Sequence, residues 1–313
     1  MKICILGAGA LGCAIGGTLT EAGHEVWLVN RDAQHVEVMN QVGLTMRTDG
    51  VDCIVKVRAA THANGIDLAS GPVALVIVLV KSFHTREVME SATSIIDEHT
   101  VVLSLQNGVG HEEVLASVVG RARVLAGKTY TGGVLLAPGH IIAGIRGKET
   151  IIGELSGQVS ARAQHIADTF SAAGLATTVS GDIMVTIWEK LLVNVATGAL
   201  SGITRLNYGN LYQVPEVEAC ALAAVAEAMA VAKAGGIALT TTDPRAPWLK
   251  AAAGLPFEFK ASMLQSLEAG SITEIDFVNG AVVALGRKLG VPTPVNATLV
   301  ACMRGVEKSL PPK

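Results

Sequence analysis

Residues 2–12 read KICILGAGALG, and their order decides the fold. A short β-branched run, 3–6, leads directly into Gly7-Ala8-Gly9-Ala10-Leu11-Gly12, and an apolar stretch at helical spacing, 10–22, follows. That is the strand, glycine turn and helix of a dinucleotide-binding βαβ unit. One glycine makes the tight turn, one lets backbone N–H groups approach a pyrophosphate, and one allows helix and strand to pack closely. The helix N-terminus adds partial positive charge beside the phosphates. Gly7, Ala8, Gly9, Ala10, Leu11 and Gly12 are therefore the expected cofactor-binding loop.

Outward from this loop the alternation continues. Runs 25–29, 75–80 and 101–105 read as strands, the last two as uninterrupted apolar strands buried on both faces, with a helix over 85–96. Residues 51–57 alternate polar and apolar and suggest one more strand. In 124–153, Gly132-Gly133, Pro138-Gly139 and Gly144 punctuate short β runs, read as later strands and a hairpin that closes the sheet. A last helix, 158–173, ends at Gly174. From about Gly181 the pattern changes to long helices rich in Ala, Leu and Val. The expected class is α/β: a Rossmann doubly wound sheet over 1–181, then an all-helical domain over 182–313. A chain of 313 residues is longer than one core usually organises, which agrees. No internal repeat is present, and the one biased stretch is the Pro-Pro-Lys tail.

Composition narrows the partners. Half the residues are hydrophobic, aromatics are 4% and the mean hydropathy is +0.46, which suits Ala/Val/Leu helices on a buried parallel sheet. No membrane partner is expected: run 73–80 is too short to span and is closed by Lys81, and run 219–232 is interrupted by Glu227. That Ala-rich run is open to burial within the subunit or against a second copy, and a homodimer is the expectation. Met1-Lys2 runs straight into a strand, so no signal peptide is expected. Cys4, Cys13, Cys53, Cys220 and Cys302 are odd in number, scattered and without a C-x-x-C pair. That pattern argues against a disulfide framework or a zinc site, and for a reducing cytoplasm. No metal is expected. A net charge of −3 gives no reason to expect nucleic acid.

Cofactor choice turns on the end of the second strand. An NAD site usually places Asp or Glu about 20 residues beyond the glycine loop, to hold the ribose 2′-hydroxyl. Here Asn30 and Arg31 come first, and they suit a 2′-phosphate by hydrogen bonding and charge. NADP (NADPH) is the expected dinucleotide; the alternative leaves Arg31 on the surface and gives the ribose to Asp32.

Polar residues at strand ends are the next candidates. Lys81 follows run 75–80 and Asn107-Gly108 follows run 101–105, where ligands of open parallel sheets bind. Each is also an ordinary loop residue, and Asn-Gly makes turns. All eight histidines lie before the helical half, the last being His165, so that half offers no imidazole as acid or base. It does offer Lys190 and Asn194, four apart on one helical face among apolar residues. A lysine there needs a partner or a task, and burial makes an ammonium a readier proton donor. The alternative is a lysine that snorkels its head into water. Ser262 lies in a helical segment, 257–267. Thr273 looks like the cap of the following helix, with Glu274 either a first-turn acid or a group reaching into a cleft.

Taken in order, GxGxxG, the strand-end Lys81, Asn107-Gly108, Lys190-x-x-x-Asn194, Ser262-Met263-Leu264-Gln265 and Thr273-Glu274-Ile275-Asp276 resemble the 2-dehydropantoate 2-reductases (ketopantoate reductases). The resemblance covers residues 1 to about 290, and its C-terminal blocks, SMLQS and TEIDFVNG, are more specific than the glycine loop. It implies a Rossmann domain, an all-helical domain and a cleft between them. It also implies reduction of a small 2-oxo acid, ketopantoate, to pantoate in pantothenate biosynthesis. By the same resemblance Gly7, Gly9 and Gly12 hold the pyrophosphate and Arg31 the 2′-phosphate, while Lys81 and Asn107 contact cofactor and substrate. Lys190 is the implied proton donor, with Asn194 beside it binding substrate. Ser262 binds the substrate carboxylate, and Glu274 bonds a substrate hydroxyl and orients Lys190.

Two positions depart from that pattern. Gly198 stands where the family usually carries a second substrate asparagine, and Tyr208, before Gly209, replaces another. Glycine in place of an amide removes bonds to a polar substrate group and makes space. A paralogous reductase of a different 2-oxo acid is therefore the main alternative. An oxidation at C3, as in Lys-x-x-x-Asn 3-hydroxyacid dehydrogenases, does not fit the C-terminal blocks. A non-catalytic NADP-binding sensor would have shed Lys190 or Glu274, and both are present.

Overall fold

The computed structural model describes residues 1–311; the last two residues of the Pro-Pro-Lys tail lie outside the described residues. The chain folds as two compact units, one of Met1–Gln106 with His111–Ile183, the other of Asn107–Gly110 with the chain from Met184 onward.

The first unit carries twelve strands among the described residues. They begin with β1 (Lys2–Leu6), β2 (Glu25–Val29), β3 (Leu44–Thr48), β4 (Val51–Val55), β5 (Arg58–Ala60) and β6 (Leu75–Val78). They continue with β7 (Val101–Ser104), β8 (Val124–Thr129), β9 (Gly132–Ala137), β10 (His140–Gly144), β11 (Thr150–Glu154) and β12 (Thr177–Val179). Its helices are α1 (Ala10–Glu21), α2 (Ala33–Gln41), α3 (Thr85–Ser91), α4 (His111–Val119) and α5 (Ala161–Ala172).

Eight strands form one sheet, β12-β11-β8-β7-β6-β1-β2-β5, parallel throughout except where β11 meets β8. Every residue of β1 and β6 is buried, Lys2 included, the environment the apolar runs 3–6 and 75–78 require. The chain goes from β1 to β2 on one side and later to β6, β7 and β8 on the other. The reversal therefore lies at the β1/β6 border, where such sheets bind ligands beyond the strands' carboxyl ends. Both the glycine loop and Lys81 stand there.

The other four strands form a separate sheet, β4-β3-β10-β9. This corrects the sequence reading. The hairpin in 124–153 exists, as β9 and β10, but it does not close the main sheet, and the strand near 51–57 joins it as β4. The reason is α1, which is apolar on opposite faces. Gly16 lies against Leu28 and Ile5 of the main sheet, Gly17 against Met46 and Leu44 of β3. A helix apolar on two faces needs cover on both, and the small sheet supplies the second. Strands β3, β5 and β12 were not expected from the sequence; β5 and β12 are only three residues long. The helix expected over 85–96 stops at Ser91, and a separate 3-10 turn spans Thr93–Ile95.

The second unit is helical: α6 (Ile183–Thr204), α7 (Tyr208–Leu211), α8 (Pro215–Ala234), α9 (Arg245–Ala252), α10 (Ser262–Glu268), α11 (Asn279–Leu289) and α12 (Pro294–Lys308). By length and composition α6 could cross a bilayer, a candidate the sequence reading passed over. Its most apolar window is 61% buried inside the protein, which suits a core helix. The apolar face of α8 packs on α9, α11 and α12, so it is satisfied within the subunit. Glu227, which interrupts that face, accepts the amides of Val295 (2.8 Å) and Asn296 (3.0 Å). It thereby satisfies open N–H groups of the first turn of α12.

Two helix expectations fail here. The helix read over 257–267 is only α10, beginning at Ser262. The residues before it give their carbonyls to another element: Tyr208 N–H donates to Phe259 O and Gly209 N–H to Phe257 O, each at 2.8 Å. Thr273 does not cap an α-helix. Its Oγ1 accepts the Ile275 amide (3.2 Å) at a single 3-10 turn, Ile275–Phe277, and α11 starts only at Asn279. Glu274 thus sits on an irregular segment, outside any α-helical first turn.

Candidate functional site

Each glycine of the loop has a distinct physical reason. Gly7 has φ +101°, and a Cβ there would lie 2.4 Å from Val80 N. At Gly12 a Cβ would lie 2.4 Å from Gly7 O, so helix and turn could not close. At Gly9 it would meet nothing within 4 Å. Packing therefore demands glycine at 7 and 12, whereas Gly9 keeps open space above the backbone. The Gly7 and Ala8 amides donate to Val29 O (3.1 and 2.9 Å), and Asn30 Nδ2 donates to Ala8 O (2.7 Å), tying the loop to the end of β2. The first helical bond runs from Cys13 N–H to Gly9 O (2.8 Å), leaving the Ala10, Leu11 and Gly12 amides as the open turn of α1. An open Gly9, open amides and a helix N-terminus fit a pyrophosphate.

Behind the loop lies His35, a buried residue the sequence reading did not single out. Its Nδ1 accepts the Gly139 amide (2.9 Å), so its proton sits on Nε2, which donates to Ala8 O (3.1 Å). Burial lowers its pKa, against the opposing effects of the Ala8 bond and Asp32.

Arg31 is exposed, with Nη1 3.2 Å from His84 Nε2. Asp32 is engaged: Oδ1 accepts the amides of Gln34 (3.0 Å) and His35 (3.2 Å), capping α2. The competing use of Asp32 on a ribose has to share that carboxylate with the cap. Lys81 is exposed just beyond β6. Buried Gln106 stitches the adjacent strand ends together, its Nε2 donating to Val80 O and Thr85 Oγ1, both at 2.8 Å.

In the helical unit, one cavity of about 200 Å³ gathers most of the remaining candidates. Asn107, Asn194, Ser262 and Glu274 all line it, together with Thr197, Gly198, Tyr208, Phe259, Ala261, Met263, Ser266 and Val278. Asn107 is held by the turn that follows it. Gly108 has φ +93°, a Cβ there would lie 2.3 Å from Phe277 O, and Val109 N–H donates to that same carbonyl at 3.1 Å. Only glycine permits this approach. Lys190 is not a lining residue. It is half-buried on α6, one turn before Asn194, about 6 Å along the helix axis.

The two departures take physical form in this cavity. Glycine at 198 does not simply make room: a Cβ there would already stand 3.3 Å from Met263 Cε, so the thioether occupies the space. Tyr208 is 8% exposed and its hydroxyl lies 3.0 Å from Thr197 Oγ1. Burial raises its pKa, opposed by that hydrogen bond, so it stays a neutral phenol. Thr197, Phe259, Met263 and Ser266 were not singled out in the sequence. Met263 and Ser266 sit inside the SMLQS block, which was the one available signal; Phe259 had none. Among the described residues, no group of three or more His, Cys, Asp or Glu stands together as a metal site.

Comparison with known proteins gives the family and the fold. The family model described as Ketopantoate reductase PanE/ApbA matches residues 3–157, and its C-terminal counterpart matches 182–307. The 2-dehydropantoate 2-reductase of Archaeoglobus fulgidus is 33% identical, covering 99% of each chain. That of Halobacterium salinarum is 32% identical over 97% of this chain and 98% of its own. Among solved structures, a PanE/ApbA family ketopantoate reductase from Ralstonia eutropha JMP134 matches with TM-score 0.89 and 35% identity over 99% of both chains. A D-mandelate dehydrogenase, solved with NADH and anilino(oxo)acetate, matches with TM-score 0.90 and 28% identity over 99% of both.

Proposed function

Because the chain belongs to the ketopantoate reductase PanE/ApbA family, we propose that it is an NADPH-dependent reductase of a small 2-oxo acid, with 2-dehydropantoate as substrate and pantoate as product. The observation that carries this reading is that Asn107, Asn194, Ser262 and Glu274, from four separate stretches of chain, line one and the same cavity.

When bound, the reduced nicotinamide supplies a hydride to C2 of the acid. The rest falls to the protein's own groups. As hydride arrives, negative charge builds on the carbonyl oxygen; the Lys190 ammonium stabilises it and transfers a proton to it, making the hydroxyl. Lys190 then recovers its proton from water. Glu274 holds Lys190 in orientation and accepts a hydrogen bond from a substrate hydroxyl. Ser262 donates to the substrate carboxylate, and the Asn107 and Asn194 amides fix the acid's pose.

For the dinucleotide, Gly7, Ala8, Gly9, Ala10, Leu11 and Gly12 hold the pyrophosphate, Arg31 pairs with the 2′-phosphate, and Lys81 and Asn107 contact the cofactor. NADPH over NADH rests on the exposed Arg31 and on the capping duty of Asp32. The product belongs to pantothenate biosynthesis. Five free cysteines suit a reducing cytoplasm.

A second reading keeps the chemistry and changes the acid. Gly198 and Tyr208 stand where substrate amides are expected, and a D-mandelate dehydrogenase shares the fold at 28% identity. Initial rates of NADPH consumption on 2-dehydropantoate and other 2-oxo acids test both readings. Lys190→Ala should lower kcat by about 10²- to 10⁴-fold with NADPH affinity nearly unchanged. A variant that keeps its rate would remove Lys190 from the mechanism.

A further inference from the structure

We infer that the cavity of the helical unit selects 2-oxo acids bearing a flat apolar substituent, an aryl ring above all, on the carbonyl carbon. The inference rests on the second reading of this protein, a reductase of a 2-oxo acid other than 2-dehydropantoate, in which Glu274 serves to orient Lys190 alone. Three features of the cavity wall carry it.

The first is rigidity. Tyr208 meets Phe259 edge to face, centroids 5.1 Å apart at 60°. On its other side Tyr208 lies 5.8 Å from Tyr212, which stacks on Trp248 at 4.0 Å and 19°. In a chain with only 4% aromatic residues, four of them are spent on one cluster, two facing the cavity. The backbone bonds from Tyr208 and Gly209 to the carbonyls of Phe259 and Phe257 hold the two lining rings in place. Aromatic faces and edges of fixed orientation favour a planar guest in offset or edge-to-face contact.

The second is polarity. The Tyr208 hydroxyl donates to Thr197 Oγ1 (3.0 Å), and Thr197 Oγ1 donates to Val193 O (3.2 Å). Both hydroxyl protons are used inside the protein. A substrate hydroxyl placed against this wall gives up water and finds oxygen lone pairs to donate to but no donor to accept from, so it is only half satisfied, which disfavours it against an apolar group.

The third is shape. Gly198 presents bare backbone, and the thioether of Met263 lies over it, 3.3 Å from where a Cβ would be. Methionine is the side chain best able to repack around a guest, so this part of the wall adapts while the aromatic part does not. The acid's carboxylate and carbonyl still find Asn107, Asn194 and Ser262, which are independent of the substituent.

The test compares the whole purified protein on phenylglyoxylate, 2-oxo-3-methylbutanoate and 2-dehydropantoate at saturating NADPH. The expected kcat/KM for phenylglyoxylate exceeds that for 2-dehydropantoate by about tenfold to a hundredfold, the range one lost polar contact commands. Gly198→Asn should shrink that ratio at least tenfold, by restoring an amide and displacing Met263. Since that variant crowds Met263, product binding to the unaltered protein provides a second measurement. With NADP⁺ present, 2-hydroxy-2-phenylacetate should bind more tightly than pantoate by calorimetry. Equal or better turnover of 2-dehydropantoate, or tighter pantoate binding, would overturn the inference and leave the reductase reading standing. Failure to reduce any 2-oxo acid would remove the reductase reading, and the inference with it.

Discussion

Alanine at Gly9 and alanine at Gly12 should do opposite things, and the contrast tests whether the loop is a pyrophosphate cradle. Gly9 has φ −78° and ψ −159°, an extended conformation open to alanine, and a methyl there touches nothing within 4 Å. Replacing glycine without strain stabilises by about 0.4–1 kcal/mol through the unfolded chain, and alanine's poorer N-capping offsets a similar amount. Folding stability of Gly9→Ala should therefore change by no more than about 0.5 kcal/mol. The methyl instead occupies the space a phosphate needs above the open amides. Loss of one charge-assisted hydrogen bond is worth about 1.5–3 kcal/mol, so the NADPH Kd should rise roughly 10- to 150-fold. At Gly12 the Cβ falls 2.4 Å from Gly7 O and 3.1 Å from both Gly7 C and Ile5 Cγ2. Backbone must move to admit it, costing about 1–3 kcal/mol of stability before any effect on cofactor. Fluorescence titration with NADPH and urea unfolding of each variant give the two quantities separately. A Gly9→Ala protein that binds NADPH like the parent would refute the cradle. Equal stability losses in the two variants would refute the account of why each glycine is there.

Other outcomes follow from the same structure. Arg31→Ala should weaken NADPH at least tenfold while barely affecting NADH; equal weakening of both in parallel titrations would take Arg31 off the 2′-phosphate. Glu227→Ala removes the side chain that meets the first turn of α12 and should cost about 2–4 kcal/mol in urea unfolding, Glu227→Gln less. An unchanged unfolding midpoint would sink the capping role. His35 has a folded pKa below its ordinary 6.5, so as pH falls the unfolded chain takes up that proton first. Its contribution to stability is full above that value and drains away as pH drops through the folded pKa. His35→Gln should flatten that acid limb in unfolding curves taken between about pH 7 and pH 5, and an unaltered slope would exclude His35 as its source.

What the sequence determined by itself was everything that local spacing encodes. A glycine turn between a β-branched run and an apolar helix needs no distant partner to be recognised, because tight turns and helix starts are decided within a few residues. The apolar runs at β6 and β7, the latter broken only by Ser104, likewise announce strands covered on both faces. Lys190 and Asn194 share a helical face by their spacing alone. Distant contacts decided the rest. The β9/β10 hairpin went to a second sheet because α1 had a second apolar face to cover, and no periodicity within 124–153 carries that fact. Residues near 257 left the helix because their carbonyls serve the amides of Tyr208 and Gly209, some fifty residues earlier in the chain. Met263 was claimed by the space above Gly198, and Tyr208 by an aromatic cluster. Side chains acquire such tasks only when the folded chain brings their partners within contact distance, and sequence spacing holds no record of who those partners are.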